Sequence, residues 1–391
     1  MRKLTVVGIG MGQETVTREG MKAIEAAELL MGAPRMLECF SDLNKKSVSA
    51  YTPDQVAAAM EKCSHGVVLV SGDTGFYSAA EALCRSSLWE TELIPGISSM
   101  AYFFSRIRRS WQDAAFLSCH GRSMNLVDTV RRSALTFALT GGNVRELAGD
   151  LCNAGFEELT VYVGSNLGSD RESIQVCTAR ELTEADCPSL TVLVVENRHP
   201  EKGIAFGLPE DAFVRGNVPM TKPEVRAVTM SKLNVQPEDI CLDIGAGTGS
   251  VTVEMGLAAW AGHVYAVDKN PEAVELIRQN CRRFHLGNVT ALEGTVPEVL
   301  EQLPAPDVVF IGGSSGTMDA LFSWILGKNP RARIVVNAIV LETVQQSTAA
   351  FEKWKIPCEI VQIQASRAKK VGNMHMMMGQ NPVYIISGGG Q

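Results

Sequence analysis

Three alternating glycines constrain the second half of the chain more than any other feature. The sequence LDIGAGTG occupies residues 242–249 and overlaps the end of an apolar run typical of a buried strand. Alternate glycines permit a tight turn and let a ligand approach the backbone closely. Asp268 closes the next apolar run, 25 residues after Asp243. This spacing fits a strand–helix–strand unit, with a helix from about Ser250, and lets Asp268 accept hydrogen bonds from ribose hydroxyls.

Further apolar runs extend this pattern into an α/β domain. Residues 264–267, 289–292, 308–311 and 334–337 are predicted strands separated by helical stretches. The last two predicted strands, 359–364 and 383–386, are joined by a polar, Met-rich segment with no evident helix. Because this connection lacks a crossover helix, the final strand is expected to run antiparallel to its neighbours.

The first half of the chain alternates strands and helices independently. Strands are predicted at 4–7, 67–70, 92–94, 136–139 and 190–195, and helices at 21–30 and 53–60. Around 197–219 the pattern lapses into prolines, glycines and charges. We therefore expect two α/β domains, at 1–200 and 201–391, which also suits a chain of 391 residues.

Composition excludes several classes of protein. A net charge of -7 argues against a nucleic-acid partner, because phosphate binding requires a basic face. The ten cysteines form no C-x-x-C pair and the histidines are scattered, so we expect free thiols in a reducing cytoplasm and no metal site. No apolar stretch approaches the roughly 20 residues of a membrane span, so we expect no membrane partner.

The acid before the first glycine distinguishes the 242–249 motif from the nicotinamide fingerprint. D-x-G-x-G-x-G resembles the motif of the Rossmann-like S-adenosylmethionine methyltransferases, in which an antiparallel last strand is also typical. Residues 219–226 (PMTKPEVR), 310–314 (FIGGS) and 337–339 (NAI), with Glu342 and Thr343, resemble the precorrin carbon-15 methyltransferase family. The resemblance implies cofactor contacts at Thr221, Gly245, Ala246, Gly247, Thr248, Gly249, Asp268 and Thr295, and substrate contacts at Gly313, Ser314 and Asn337.

The first half resembles a different family, the tetrapyrrole (corrin/porphyrin) methyltransferases. The matching segments are 6–12 (VVGIGMG), 71–77 (SGDTGFY) and 94–99 (IPGISS), with Thr74 where many members have proline. The resemblance implies a two-lobed fold with S-adenosylmethionine in a cleft between the lobes. It also implies cofactor contacts at Met11, Asp73, Phe76, Ser98 and Ser99. Ser98 is equally suited to capping the helix that follows.

Both halves, in this order, resemble the fused methyltransferases of cobalamin biosynthesis. The resemblance implies methylation of a precorrin at carbon 5 by the first domain, and methylation at carbon 15 with loss of the ring C acetate carboxylate by the second. It also implies assembly as a homo-oligomer. Because such a ring carries many carboxylates, we expect Lys222 and Arg226 to orient it. Positioning and exclusion of water supply much of the acceleration, so no catalytic residue is predicted.

Other functions fit parts of the same pattern. One is a protein or RNA methyltransferase, although the acidic composition and the lack of a basic stripe disfavour RNA. Another is a non-catalytic S-adenosylmethionine-binding protein, although the motifs of both halves are intact. A nicotinamide dehydrogenase is a third, and it is separable by whether the chain binds adenosylmethionine or a dinucleotide. The same residue types would serve a cobalt-containing or a metal-free ring.

Overall fold

The computed structural model describes residues 2–119, 125–201, 203, 205–313 and 316–390, which form two compact units. The N-terminal unit comprises Met1–Met124, Ser133–Gly149 and Glu158–His199. The C-terminal unit comprises Asn125–Arg132, Asp150–Glu157 and Pro200–Gln391. The chain therefore passes into the C-terminal unit for the last time after His199, and two earlier segments group with that unit. The division at 200/201 stays a prediction.

The first sheet of the N-terminal unit is entirely parallel, in the order β3-β2-β4-β1-β5. Its strands are β1 (Arg2–Gly8), β2 (Leu29–Gly32), β3 (Ser47–Ser49), β4 (His65–Val70) and β5 (Trp89–Ile94). The associated helices are α1 (Arg18–Ala26), α2 (Pro34–Glu38), α3 (Pro53–Ala59), α4 (Ala80–Cys84) and α5 (Ser99–Arg106).

The predicted helix at 21–30 is wrong at its C-terminal end. Helix α1 begins after Thr17, whose side chain accepts a hydrogen bond from the Gly20 amide, and it ends at Ala26. Residues from Leu29 form β2, which lies between β3 and β4 and is buried throughout. Burial in the centre of a sheet, rather than local preference, therefore decides the conformation of this apolar segment.

A second, mixed sheet follows in the order β6-β7-β10-β8-β9. Only β6 and β7 pair in parallel, and the other pairs are antiparallel. The strands are β6 (Ala115–Ser118), β7 (Leu135–Leu139), β8 (Thr160–Ser165), β9 (Ser173–Thr178) and β10 (Thr191–Glu196). The helices that lie between these strands in the chain are α6 (Leu126–Arg132), which groups with the C-terminal unit, α7 (Val144–Asn153) and α8 (Ala179–Leu182). Two sheets built in this way agree with the expected tetrapyrrole methylase fold.

The C-terminal unit contains a seven-stranded sheet in the order β13-β12-β11-β14-β15-β19-β16. Its strands are β11 (Ile240–Ile244), β12 (His263–Asp268), β13 (Val289–Glu293), β14 (Val308–Ile311), β15 (Arg333–Ala338), β16 (Cys358–Ile363) and β19 (Val383–Gly389). The helices are α9 (Pro223–Leu233), α10 (Ser250–Ala258), α11 (Pro271–Arg283), α12 (Met318–Lys328) and α13 (Leu341–Lys353).

The last strand confirms the sequence expectation for this sheet. Strand β19 is antiparallel to both β15 and β16, whereas the pairs from β13 to β15 are parallel. Apolar side chains of the central strands pack against helices in two separate clusters, one containing Leu242 and Phe322 and the other Cys241 and Met255. A parallel sheet covered in this way binds ligands at the carboxyl ends of its strands.

A two-stranded hairpin occupies the polar, Met-rich segment 366–380, in which the sequence showed no evident helix. Strands β17 (Ser366–Val371) and β18 (Met374–Gly379) pair antiparallel, and most of their residues are exposed. We call this segment the methionine hairpin, because Met374, Met376, Met377 and Met378 are all exposed. Among the described residues, every helix is too short or too polar to serve as a membrane-spanning segment.

Candidate functional site

A cavity of about 1330 Å³ lies at the carboxyl ends of the parallel strands in the C-terminal unit. Ends of β11, β12, β14 and β15 contribute to it, together with the segment that precedes α9. Among the predicted site residues, those that line it are Thr221, Lys222, Gly245, Ala246, Gly247, Asp268, Thr295, Gly313 and Asn337. One cavity therefore collects most of the residues that the sequence singled out in this half.

The glycine loop is shaped by close backbone contacts that no side chain would permit. Gly245 and Gly247 have φ of +70° and +58°, in the left-handed region. A Cβ on Gly245 would lie 2.8 Å from the Gly313 nitrogen, and one on Gly247 would lie 2.7 Å from the Pro219 carbonyl oxygen. The glycines thus let the loop bend between two other cavity segments.

The amide groups of the glycine loop bond to the end of β12. The amides of Gly245 and Ala246 both donate to the Val267 carbonyl, at 2.9 and 3.2 Å, and that of Gly247 donates to Asp268 Oδ2 at 2.9 Å. Sequence reasoning expected the loop to present its backbone closely to a ligand. These three amides hold the loop against the neighbouring strand, and the close approach of a ligand to its backbone stays a prediction.

Asp268 is held in a fixed orientation at the cavity wall. Besides Gly247, it accepts a hydrogen bond from the Asn270 amide, at 2.9 Å to Oδ1. Each carboxylate oxygen therefore keeps one lone pair for another donor. This geometry leaves Asp268 able to accept further hydrogen bonds, and its contact with ribose hydroxyls stays a prediction.

Two members of the predicted cofactor set lie behind the cavity. Thr248 is buried, and its carbonyl accepts a hydrogen bond from Asn280 Nδ2 at 2.8 Å. Gly249 caps α10 in a left-handed conformation and packs against Ile277. Neither residue lines the cavity. Their placement indicates that they support the loop, so the expected direct contacts are corrected.

Asp243, the acid of the motif, is fully buried beneath the loop. Burial raises the pKa of its carboxyl group to about 7, even though Thr252 Oγ1 donates a hydrogen bond to it at 2.5 Å. Asp243 therefore supports the turn from inside and does not face the cavity.

Lys222 and Arg226 occupy different environments, although both were expected to bind substrate. Lys222 lines the cavity, with Nζ 3.1 Å from Glu210 Oε1. Arg226 is completely buried, and its Nε donates to Glu254 at 2.5 Å. Its Nη1 donates to the Thr221 carbonyl at 2.7 Å. The expectation for Arg226 is thus corrected, because its guanidinium is engaged inside the protein and positions Thr221.

Glu210 joins the cavity edge to the methionine hairpin. Burial alone raises the pKa of Glu210, but hydrogen bonds from Lys222 and Arg367 outweigh that effect and lower it. Arg367 of β17 donates to Glu210 at 2.7 Å and forms a two-point contact with Glu224 at 2.8 and 3.0 Å. These ion pairs link the exposed hairpin to Glu210 and to the start of α9.

The remaining predicted contacts follow β13, β14 and β15. Thr295 lines the cavity, and its Oγ1 donates to Glu298 at 2.9 Å. Asn337 lies near the end of β15, where its Nδ2 donates to Thr229 Oγ1 at 3.0 Å. Ser314, also expected to face the substrate, lies outside the described residues.

Several cavity residues were not assigned a role from the sequence. They are polar and come from the start of α13 and the segment between β18 and β19: Glu342, Thr343, Gln346, Gln380 and Asn381. Glu342 and Thr343 belong to a segment that resembles the precorrin carbon-15 methyltransferase family, but the resemblance assigned no role to either residue. The last two follow an exposed hairpin whose strands carry no clear alternating pattern, so little in the sequence could have identified them.

In the N-terminal unit, three glycines bring the matching motifs together. Gly8, Gly72 and Gly96 lie at or just after the ends of β1, β4 and β5. A Cβ on Gly96 would lie 2.3 Å from the Gly72 oxygen and 2.4 Å from the Gly8 oxygen. Asp73 completes this junction, because Oδ2 accepts from the Gly96 amide at 3.2 Å and Oδ1 from the Gly75 amide at 2.8 Å.

The other expected contacts of this unit are already engaged in packing or capping. Ser98 caps α5 through a 3.1 Å bond from the Ala101 amide, and Ser99 is the first residue of that helix. The Phe76 ring meets Phe116 and Phe137 edge-on, with centroids 5.9 Å apart in each case. Met11 is half-buried, and its amide donates to Thr15 Oγ1. Their cofactor contacts remain predictions.

The cavity of the C-terminal unit suits S-adenosylmethionine. Asp268 offers free lone pairs for the ribose hydroxyls. Val267, Ala246 and Val296 contribute apolar surface for an adenine ring. Polar and apolar groups of these kinds match the parts of the cofactor.

Two family profiles together cover most of the chain. Residues 3–183 match the family described as "Tetrapyrrole (Corrin/Porphyrin) Methylases", and residues 211–388 match that described as "Precorrin methyltransferase domain". Methyltransferases of these families use S-adenosylmethionine.

Individual relatives agree with both halves. The precorrin-6Y C(5,15)-methyltransferase [decarboxylating] of a Sinorhizobium species is 29% identical over 383 residues, covering 95% of this chain and 92% of its own length. The cobalt-precorrin-6B C(15)-methyltransferase (decarboxylating) of Salmonella typhimurium is 36% identical over 185 residues, covering 46% of this chain and 94% of its own. A solved precorrin-6Y C5,15-methyltransferase structure from Geobacter metallireducens is 36% identical, with a TM-score of 0.45, and covers 47% of this chain and 95% of that one. The chain therefore belongs to the precorrin-6Y C5,15-methyltransferase (decarboxylating) family.

Proposed function

We propose that this chain methylates a precorrin at carbons 5 and 15 and removes the carboxylate of its ring C acetate, as a step of cobalamin biosynthesis. The observation that carries the proposal is the pairing, in one chain, of two methylase units whose motif residues meet at strand ends. In the C-terminal unit they surround a cavity of about 1330 Å³, large enough for a cofactor and part of a macrocycle. The N-terminal unit acts at carbon 5, and the C-terminal unit acts at carbon 15 and decarboxylates.

S-adenosylmethionine supplies an electrophilic methyl group on a sulfonium. In the C-terminal unit, Asp268 accepts the ribose hydroxyls, while Thr221, Gly245, Ala246, Gly247 and Thr295 form the surrounding wall. In the N-terminal unit, Met11, Asp73, Phe76, Ser98 and Ser99 form the corresponding site. Asp73 supports this assignment because it ties two motif loops together through Gly75 and Gly96.

The protein contributes to the reaction by positioning the reactants and by excluding water. The acceptor carbon of the macrocycle is electron-rich, so a strong base is unnecessary, and rate comes from alignment and exclusion of water. Gly313 and Asn337 face the ring. Lys222 binds a ring carboxylate by exchanging its partner Glu210 for the substrate, which keeps the ammonium paired throughout.

The first test is calorimetric titration of the full chain with S-adenosylhomocysteine. We expect two sites per chain, with one lost in Asp268→Ala and the other in Asp73→Ala. Glu352→Gln, an exposed carboxylate change on α13, is the matched control and should keep both sites. A single site, or the same site lost in both variants, would contradict a methyltransferase in each unit. A precorrin assay in metal-free and cobalt-containing forms then identifies the ring that is methylated.

We further propose a cytoplasmic homo-oligomer. Eight cysteines are free thiols, as suits a reducing compartment: Cys39, Cys63, Cys84, Cys177, Cys187, Cys241, Cys281 and Cys358. The methionine hairpin exposes apolar side chains of the kind that assembly covers. Light scattering during size-exclusion chromatography measures the mass in solution, and a single-chain mass would contradict the assembly.

A further inference from the structure

Glu342 is an acidic side chain on the substrate side of the cavity. It lies in the first turn of α13, and Thr343 and Gln346 of the same helix also line the cavity. Residues four apart lie on one face of a helix, so this face is turned to the cavity. Strand β15, which leads to Glu342, is three strands from β12, which leads to Asp268. That separation is about 14 Å at the sheet, so the two carboxylates serve different parts of the cavity.

The two cavity carboxylates also differ in their partners. Asp268 accepts two backbone amides. Glu342 is exposed, and its side chain makes no hydrogen bond or ion pair with another described residue. An unpaired acid facing a polycarboxylate substrate weakens binding through like-charge repulsion unless one of the facing groups holds a proton. Its presence there therefore calls for a chemical role.

Loss of carbon dioxide from an acetate side chain consumes one proton. The bond between the methylene carbon and the carboxylate breaks, and carbon dioxide leaves as a proton reaches the methylene carbon. The electron pair of the broken bond forms the new C–H bond, which converts the methylene to a methyl group, so the loss of carbon dioxide slows when the donor is removed. The balance requires a proton donor and neither an oxidant nor a reductant.

Other groups on this side of the cavity are poor donors. The Thr343 hydroxyl and the Gln346 amide do not release protons near neutral pH. Lys222 is paired with Glu210, and Lys269 follows β12 on the cofactor side. A carboxylic acid can both hold and deliver a proton, and the exposure of Glu342 allows solvent to restore it.

We propose that Glu342 is the proton donor to the methylene carbon in the decarboxylation step. The inference rests on the proposed function of the C-terminal unit. It separates the two reactions of that unit, because methyl transfer at carbon 15 needs no proton from this residue.

The test is the product mass from Glu342→Gln and the wild-type chain, supplied with the precorrin and S-adenosylmethionine. We expect the variant to accumulate a methylated product that is heavier than the wild-type product by one carbon dioxide. Decarboxylation should slow by at least about 100-fold, the typical scale for loss of a general acid. Glu342→Asp should restore part of the rate, and Glu352→Gln, on the same helix but away from the cavity, should behave as wild type.

Each other outcome has a distinct meaning. Decarboxylation by Glu342→Gln at the wild-type rate would overturn the assignment. Equal loss of methylation and decarboxylation, with S-adenosylhomocysteine binding unchanged, would also overturn it, because the residue would then position the whole substrate. A wild-type chain that performs neither reaction would instead refute the proposed function.

Discussion

The buried pair of Arg226 and Glu254 allows a quantitative prediction. Both side chains are 0% exposed, and the 2.5 Å bond between Nε and Oε1 joins α9 to α10. Glu254 also accepts the amides of Gly207 and Leu208, at 3.0 and 2.9 Å. Arg226 holds the carbonyl of Thr221 at the cavity wall. One ion pair thus fixes the segment that leads into the site.

We expect Glu254→Gln to destabilise the C-terminal unit strongly while changing its volume little. The substitution leaves the Arg226 charge buried without a counterion, which costs about 3–5 kcal/mol. For a domain of this size, that corresponds to a fall in melting temperature of roughly 6–20 °C. Scanning calorimetry of the full chain measures the shift, and the transition of the N-terminal unit serves as an internal reference.

Two further variants test the cause of this effect. Adding Arg226→Met to Glu254→Gln removes the stranded charge and should recover part of the lost stability. Glu352→Gln, an exposed carboxylate on α13, should change stability by less than about 0.5 kcal/mol. If the free energy of unfolding of Glu254→Gln lies within about 1 kcal/mol of the wild-type value, the ion pair does not stabilise the unit by the amount assigned to it.

Four other substitutions test separate parts of the structure. Gly96→Ala should lower the free energy of unfolding by about 1–3 kcal/mol, because the added methyl group overpacks against the Gly72 and Gly8 carbonyls. Its control is Gly149→Ala in α7, where the added methyl group would meet no atom within 4 Å. This control should be neutral or slightly stabilising in the same melting assay. Asp243 has a folded pKa raised from 3.8 to about 7, so its contribution to stability is present below about pH 4 and lost as pH rises to about 7. Asp243→Asn should therefore be more stable than the wild type above about pH 7, by up to about 4 kcal/mol, and a melting temperature independent of this substitution at every pH would refute that reasoning. Lys222→Ala should raise KM for the precorrin without changing S-adenosylhomocysteine affinity, and an unchanged KM would remove Lys222 from the substrate site.

The sequence was most informative where backbone geometry and chemistry coincide. Gly245, Gly247 and Asp268 were predictable because a tight turn after a buried strand requires glycine, and because the spacing to the acid follows from one strand–helix–strand unit. The antiparallel β19 was predictable from the lack of a crossover helix. The first inference depends on local sequence and on the spacing between two strands. The second depends only on the segment that connects the last two strands.

Elsewhere, tertiary contacts decided the outcome. Leu29 and Leu30 continue the apolar run of α1, and only burial between β3 and β4 makes them a strand. Arg226 resembles an exposed substrate-binding cation in the sequence, since its partner Glu254 is 28 residues away on another helix. Strands β17 and β18 are rich in Lys and Met, which have little strand preference, so their pairing was not evident.

The methionine hairpin has a practical consequence for oxidation chemistry. Thioether sulfur is converted to sulfoxide by peroxide wherever it is accessible. Met374 and Met377 are 74% and 62% exposed, whereas Met230 and Met255 are 2% and 0% exposed in the core. A brief peroxide dose should therefore label the hairpin first and leave the core methionines intact. Any hairpin sulfur that resists labelling at high protein concentration, but not on dilution, marks the surface where copies of the chain meet.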